Sequence, residues 1–145
     1  MSKVFVIVNP ASGHYQPDTI VDAIERAAAT GALELEFREI SAEESVPDII
    51  RAAAARGFDM FVAVGGDGTV SAVVEGLDGA PLPIAIVPAG TGNLLARGLG
   101  VPLDPAQAAG LIAGEHATRT IDAMRVGTSV FVLNIGVGIS SATVR

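Results

Sequence analysis

The sequence predicts an α/β fold, an open and mostly parallel sheet with helices on both faces, followed by the start of a β-rich second unit. Three observations carry that expectation. Short apolar runs recur between Val4 and Val87, helical segments with readable ends lie between them, and beyond Gly114 the alternation of strand and helix stops.

Val4 to Val8 is a continuous apolar run, the pattern of a strand buried on both faces. Pro17 and Asp18 open a helix with apolar residues at Ile20, Val21, Ile24, Ala27 and Ala28, and Gly31 is expected to cap its end. Leu35 to Ile40 alternates as a second strand. Ser45, Pro47 and Asp48 open a helix over Ile49 to Arg56, in which Ala52 to Ala55 are good helix formers, and Gly57 ends it. Met60 to Val64 and Ile84 to Val87 are the third and fourth strands. Asp104 and Pro105 open a further helix through Ala109 and Leu111 to Gly114. Such alternation argues for βαβ units with right-handed crossovers.

Thr118 to Val126 and Val130 to Val137 then follow as two strand-like runs joined by Gly127-Thr128-Ser129, which predicts a β-hairpin. The expected division is an α/β nucleotide-binding unit over residues 1–116 and the first hairpin of a truncated β-sandwich over 117–145. A lone two-stranded hairpin is marginally stable in water. Its apolar residues therefore predict cover from further sheet, from the first unit, or from a second copy in a homodimer.

Composition narrows the function. Of 145 residues half are hydrophobic, and 16 acidic against 9 basic side chains give a formal charge of -7, which repels a phosphate backbone and speaks against nucleic acid as a partner. No cysteine is present for a disulfide or thiolate site, and the two histidines are far apart. The apolar run after Met1-Ser2-Lys3 is too short to span a bilayer, so a cytoplasmic setting with at most peripheral contact at the inner membrane surface is expected.

Three loops carry the chemistry. Gly65-Gly66-Asp67-Gly68-Thr69 lies directly between a strand and a helical pattern, where glycines let backbone N–H groups approach a phosphate and a helix start adds partial positive charge. A carboxylate at Asp67 suits phosphoryl transfer, because beside phosphates it can meet a metal, orient a water or accept a hydroxyl proton. The same run also fits a tight turn in which Asp67 or Thr69 caps the helix. Pro88-Ala89-Gly90-Thr91-Gly92-Asn93 repeats the design after the fourth strand, and Asn9-Pro10-Ala11-Ser12-Gly13 ends the first, so all three meet at the carboxyl edge of one sheet. A P-loop is excluded because Lys3 is the only lysine. A dinucleotide fingerprint is approximated by Gly66-x-Gly68-x-x-Ser71, but the following strand ends Ile84 to Pro88 without the carboxylate that a ribose requires.

In their order and spacing these segments resemble the diacylglycerol kinase catalytic domain family, which includes bacterial lipid kinases and sphingosine kinases and is related to NAD kinases. The resemblance continues through Leu94-Leu95-Ala96-Arg97-Gly98-Leu99-Gly100-Val101-Pro102, and through Ile121-Asp122 and Phe131 to Gly138. It implies an ATP-dependent lipid kinase with Mg²⁺ as cofactor and a lipid alcohol as acceptor. It further implies a nucleotide held by Asn9, Ser41, Gly65, Gly66, Asp67, Gly68, Thr69, Thr91 and Asn93, and Asp67 as the catalytic residue near the transferred phosphate. No metal ligand is assigned within the chain. Val70-Ser71-Ala72 stands where the family often has an apolar residue and Asn-Glu, with Glu75 a partial substitute one turn later. Members run to roughly twice this length by domain-size reckoning, so the expectation is a fragment lacking the C-terminal catalytic part and inactive alone. The alternatives are an NAD kinase-like enzyme and a non-catalytic nucleotide-binding module. Asp122, His14, His116 and Arg97 have structural readings as turn, surface or solvated residues.

Overall fold

The computed structural model describes residues 1–132. Four parallel strands, β1 (Ser2–Val8), β2 (Leu33–Glu39), β3 (Met60–Gly65) and β4 (Ile84–Pro88), pair in the order β2-β1-β3-β4. In register, Val4 faces Leu35 on one side and Met60 on the other, and Val62 faces Ala85. Leaving β1, the chain goes to one side for β2 and then crosses back to the other for β3. The carboxyl ends of β1 and β3 are therefore neighbours at a topological switch point, the place where an open α/β sheet receives ligands.

The strand period of two divides the core between the faces of the sheet. Val4, Val6, Val8, Val62, Val64 and Val87 point one way, onto Ile20, Ala23 and Ile24 of α1 (Pro17–Gly31) and Ala109 and Ile112 of a later helix, Pro105–Ala113. Phe5, Ile7, Phe61, Ala63 and Ile86 point the other way, onto α2 (Val46–Ala54), α3 (Asp67–Leu77) and α4 (Leu94–Leu99). The Pro105–Ala113 helix is α5. Phe5, Phe58 and Phe61 pack edge-on or tilted with centroids 5.2 to 6.2 Å apart, within the favourable range for aromatic pairs. The expectation of helices on both faces is met.

Several element ends differ from the sequence reading. Gly31 is the last residue of α1, and the left-handed cap is Ala32, with φ 52° and ψ 48°. Glycine is needed at position 31 for closeness: a Cβ there would lie 2.5 Å from Cβ of Ala113 on α5. Helix α2 begins at Val46, because the Ser45 side chain accepts from the Asp48 N–H as an N-cap. Gly57, with φ 81°, supplies the left-handed turn expected after it.

The first strand of the hairpin is shorter than its apolar pattern predicts. The hairpin strands are β5 (Met124–Val126) and β6 (Ser129–Phe131), antiparallel, with Gly127 and Thr128 as the turn and Gly127 at φ 61°. Thr118 to Ala123 form no strand. The expected continuation from Leu133 to Val137 lies outside the described residues. One side of the hairpin docks on α3: Val130 is buried, its N–H donates to Oε2 of Glu75 at 3.3 Å, and Arg125 pairs with Asp78 at 2.6 Å. Met124 and Val126 remain exposed. Among the described residues, no helix is long and apolar enough to cross a membrane.

Candidate functional site

A cleft of about 350 Å³ opens over the switch point, lined by loops following β1, β3 and β4. From the first come Asn9, Ser12 and Gly13, from the second Gly66 to Thr69, and from the third Gly90 to Gly92. The sequence of each loop explains how it reaches the cleft.

Gly65 ends β3, and a Cβ on it would meet the Thr69 hydroxyl at 2.5 Å, so its hydrogen side chain lets Thr69 fold back under the strand end. There Thr69 is buried and its Oγ1 accepts from Asn9 Nδ2 at 3.2 Å, which ties the first loop to the second. The Asn9 Oδ1 accepts from the Ala11 N–H at 3.1 Å, an Asx-type turn that bends the first loop over the cleft. Helix α3 starts at Asp67, with Gly66 as its N-cap residue. First-turn N–H groups of a helix have no partner four residues back, so the Gly66 to Thr69 backbone presents donors and the positive end of a helix dipole.

The third loop is closed by its own asparagine. Asn93 adopts φ 50° and ψ 45°, a left-handed conformation that asparagine tolerates, and its amide returns to Gly90. Its Oδ1 accepts from the Gly90 N–H at 3.1 Å and its Nδ2 donates to the Gly90 carbonyl at 2.8 Å. Arg97 braces the loop, with Nε–H donating to the Gly92 carbonyl at 2.9 Å. His14 joins it to the first loop: its N–H donates to the Ala89 carbonyl at 2.9 Å, and its ring Nδ1 lies 3.1 Å from the Gly90 carbonyl. A carbonyl can only accept, so Nδ1 carries the proton.

Asp67 connects the second and third loops. Its Oδ2 accepts from the Leu94 N–H at 2.9 Å and its Oδ1 from the Leu95 N–H at 3.0 Å, so one carboxylate caps the start of α4 while standing in the first turn of α3. Among the described residues it is the only carboxylate lining the cleft. A carboxylate offers about four lone-pair sites, and two are used here. Among the described residues no three acidic or histidine side chains converge in a way that could hold a metal ion. Next to the first loop, burial, followed by the charges of Glu39 and Asp18, pushes the Tyr15 phenol above its ordinary value.

Of the residues singled out from sequence, Asn9, Gly66, Asp67, Gly68, Thr69 and Thr91 meet in the cleft. Ser41, Gly65 and Asn93 do not line it. Ser41 follows β2, one strand away from the switch point, and its N–H donates to Oε2 of Glu44 at 2.8 Å; that bond and the nearby Arg38 hold the Glu44 carboxyl below its ordinary value. Gly65 acts beneath the cleft by admitting Thr69, and the Asn93 amide is consumed by Gly90. Glu75 is turned to the hairpin and does not line the cleft. Ser12, Gly13, Gly90 and Gly92 complete the walls; the loops were visible in sequence, but which of their residues face inward depends on the bonds just described.

With this geometry in view, comparison with known proteins is specific. The model of the diacylglycerol kinase catalytic domain matches residues 3–126. A diacylglycerol kinase of Mycobacterium tuberculosis is 35% identical over 133 residues, covering 87% of this chain and 41% of that protein. One of Bacillus subtilis is 30% identical over 142 residues, covering 95% and 46%. A crystal structure of a diacylglycerol kinase from Bacillus anthracis superposes with a TM-score of 0.75 at 31% identity, over 90% of this chain and 45% of that one. The chain spans less than half the length of these relatives.

Proposed function

The chain belongs to the diacylglycerol kinase catalytic domain family, and from that premise we propose that its cleft binds the phosphates of ATP for transfer to a lipid hydroxyl. The observation that carries this reading is the meeting of three donor-rich loops at the switch point with a single carboxylate among them. The Gly66 to Thr69 backbone and the Thr91 hydroxyl hold phosphate oxygens, Asn9 orients Thr69 beneath them, and the Gly90 to Gly92 loop closes the opposite wall.

Asp67 supports two duties in this reading. It fixes the third loop through Leu94 and Leu95, and its remaining lone pairs stand where an acceptor hydroxyl proton or a nucleotide-bound cation would come. One carboxylate fits Mg²⁺, which usually keeps several waters and takes one or two carboxylates with substrate phosphates. Bound with the nucleotide, the ion would neutralise charge developing on the phosphate oxygens. The lipid acceptor, peripheral contact with a membrane and pairing of two copies through exposed Met124 and Val126 belong to the same proposal. A nucleotide-binding module without turnover differs from it only in the second step.

Calorimetric titration of MgATP into the chain tests the first step. Saturable binding is expected, and it should be lost in Gly68→Val, where open space receives the new side chain at the mouth of the cleft. Absence of binding to the unaltered chain would remove the reading. Phosphate transfer from ATP to diacylglycerol or a sphingoid base, but not to NAD, tests the second.

A further inference from the structure

Bonds between the three loops make the wall of the cleft a closed ring. Asn9 ties the first loop to the second through Thr69, and Asp67 ties the second to the third through Leu94 and Leu95. The ring closes between the third loop and the first, where the gap is widest, because β3 stands between β1 and β4 and those two strands are not neighbours. His14 spans that gap. Its N–H donates to the Ala89 carbonyl and its ring Nδ1–H to the Gly90 carbonyl. The adjoining Gly13 comes so near that a Cβ on it would lie 3.3 Å from Cγ2 of Thr91.

The ring bond bears on the cleft through peptide geometry. The Gly90 carbonyl and the Thr91 N–H belong to one planar trans unit and point in opposite directions. Two side chains grip the carbonyl, His14 Nδ1 at 3.1 Å and Asn93 Nδ2 at 2.8 Å, so the Thr91 N–H is aimed away from both. Among the described residues that N–H has no hydrogen-bond partner, and Gly90 and Thr91 both line the cleft. A glycine at position 90 brings no side chain to restrain this peptide, so its direction depends on what holds the oxygen. The His14 ring is itself exposed. Burial therefore does not fix the ring, and the bond to Gly90 does.

We propose that His14 is a positioning residue of the cleft: together with Asn93 it fixes the Gly90 carbonyl and thereby aims the Thr91 N–H at a phosphate oxygen. The ring acts through Gly90, without contact to the ligand. This role rests on the reading of the cleft as an ATP site.

Substitutions at position 14 separate the ring donor from the rest of the residue, since all of them keep the backbone bond to Ala89 and none touches the core. His14→Asn places an amide nitrogen as many bonds from the backbone as Nδ1, His14→Gln places it one bond further out, and His14→Leu has similar reach without a donor. In the ligand-free chain, nitrogen-15 spectra of the ring in mildly alkaline solution are expected to show the proton on Nδ1. The carbonyl carbon signal of Gly90 should move in His14→Leu and His14→Gln and return in His14→Asn. MgATP affinity measured by calorimetry should follow the same order, about threefold to tenfold weaker in His14→Leu, the worth of one hydrogen bond, and rescued in His14→Asn. A proton on Nε2, a Gly90 signal indifferent to His14→Leu, equal MgATP affinity in His14→Leu and the unaltered chain, or His14→Asn behaving like His14→Leu would each overturn the proposal. If the unaltered chain binds no MgATP, the nucleotide reading falls, and the ring and carbonyl signals alone decide whether His14 aims this peptide.

Discussion

Gly66 and Gly90 touch through their backbones: a methyl group on Gly90 would lie 2.5 Å from the Gly66 Cα, and one on Gly66 would lie 3.2 Å from the Gly90 Cα. This seam sets the width of the cleft. Gly90→Ala must therefore push the loops after β3 and β4 apart, since backbone cannot rotate away as a side-chain end can. We expect a loss of about 1–3 kcal/mol in stability and at least a tenfold loss in MgATP affinity, with Gly66→Ala milder in both. Chemical denaturation and calorimetry measure the two effects; a Gly90→Ala chain that binds MgATP like the unaltered one would show that the seam does not shape the site.

Removing the carboxylate at Asp67 leaves the Leu94 and Leu95 N–H groups without their acceptor. Asp67→Ala should cost about 0.5–2 kcal/mol, the range for a lost N-cap. Amide exchange at Leu94 and Leu95 should speed up more than at Val73, which lies inside α3. Equal protection before and after the change would mean that α4 holds its start without this bond.

Two glycines in helices should respond with opposite sign. A Cβ on Gly76 would sit 2.6 Å from Cβ of Ile50 and 2.7 Å from the Pro47 carbonyl, so Gly76→Ala is expected to destabilise by about 1–3 kcal/mol through overpacking of α2 on α3. Gly110 lies in α5 with open space where its Cβ would be, and Gly110→Ala should stabilise by roughly 0.5–1 kcal/mol. Thermal unfolding of the pair checks this; if both move the midpoint the same way, the helix contacts described here are wrong.

The Glu36 carboxyl is held below its ordinary value first by its paired hydrogen bonds to Arg56, each 2.7 Å. A lowered folded value means stability that is present above the ordinary glutamate range and lost as pH falls through the folded value. The pair is largely exposed, so water screens it and its contribution is small. Glu36→Gln should lower the unfolding midpoint slightly at pH 7, and by less as the pH falls through the folded value. A difference that persists unchanged in acid would point to packing of Arg56 over the Phe58 ring, 5.1 Å from its centroid, as the source.

Much of this architecture was legible because local signals agreed with the global fold. The four apolar runs became the four strands, and Ser45, Pro105 and Gly57 marked helix ends through short-range chemistry. What escaped depends on contacts between elements distant in sequence. Gly31 looked like a cap and is a packing residue against Ala113, which lies more than eighty positions away. Thr118 to Ala123 has the composition of a strand and forms none. In the candidate site the loops were visible, whereas the facing of single side chains was not: Asn93 bonds to Gly90, and Ser41 sits over β2, because strand order, not spacing, decides which loop ends are neighbours.

The sheet is sealed on its two faces by side chains that take no part in lining the cleft, whereas the cleft walls come from loops at its carboxyl edge. Mutational cost is therefore unevenly distributed. Exchanges at Gly92 or Ser12 alter what the site meets while leaving the buried valines and phenylalanines undisturbed, so ligand preference can change without cost to the core. The seam glycines and Asp67 are exempt from that freedom, since there recognition and scaffold are the same atoms.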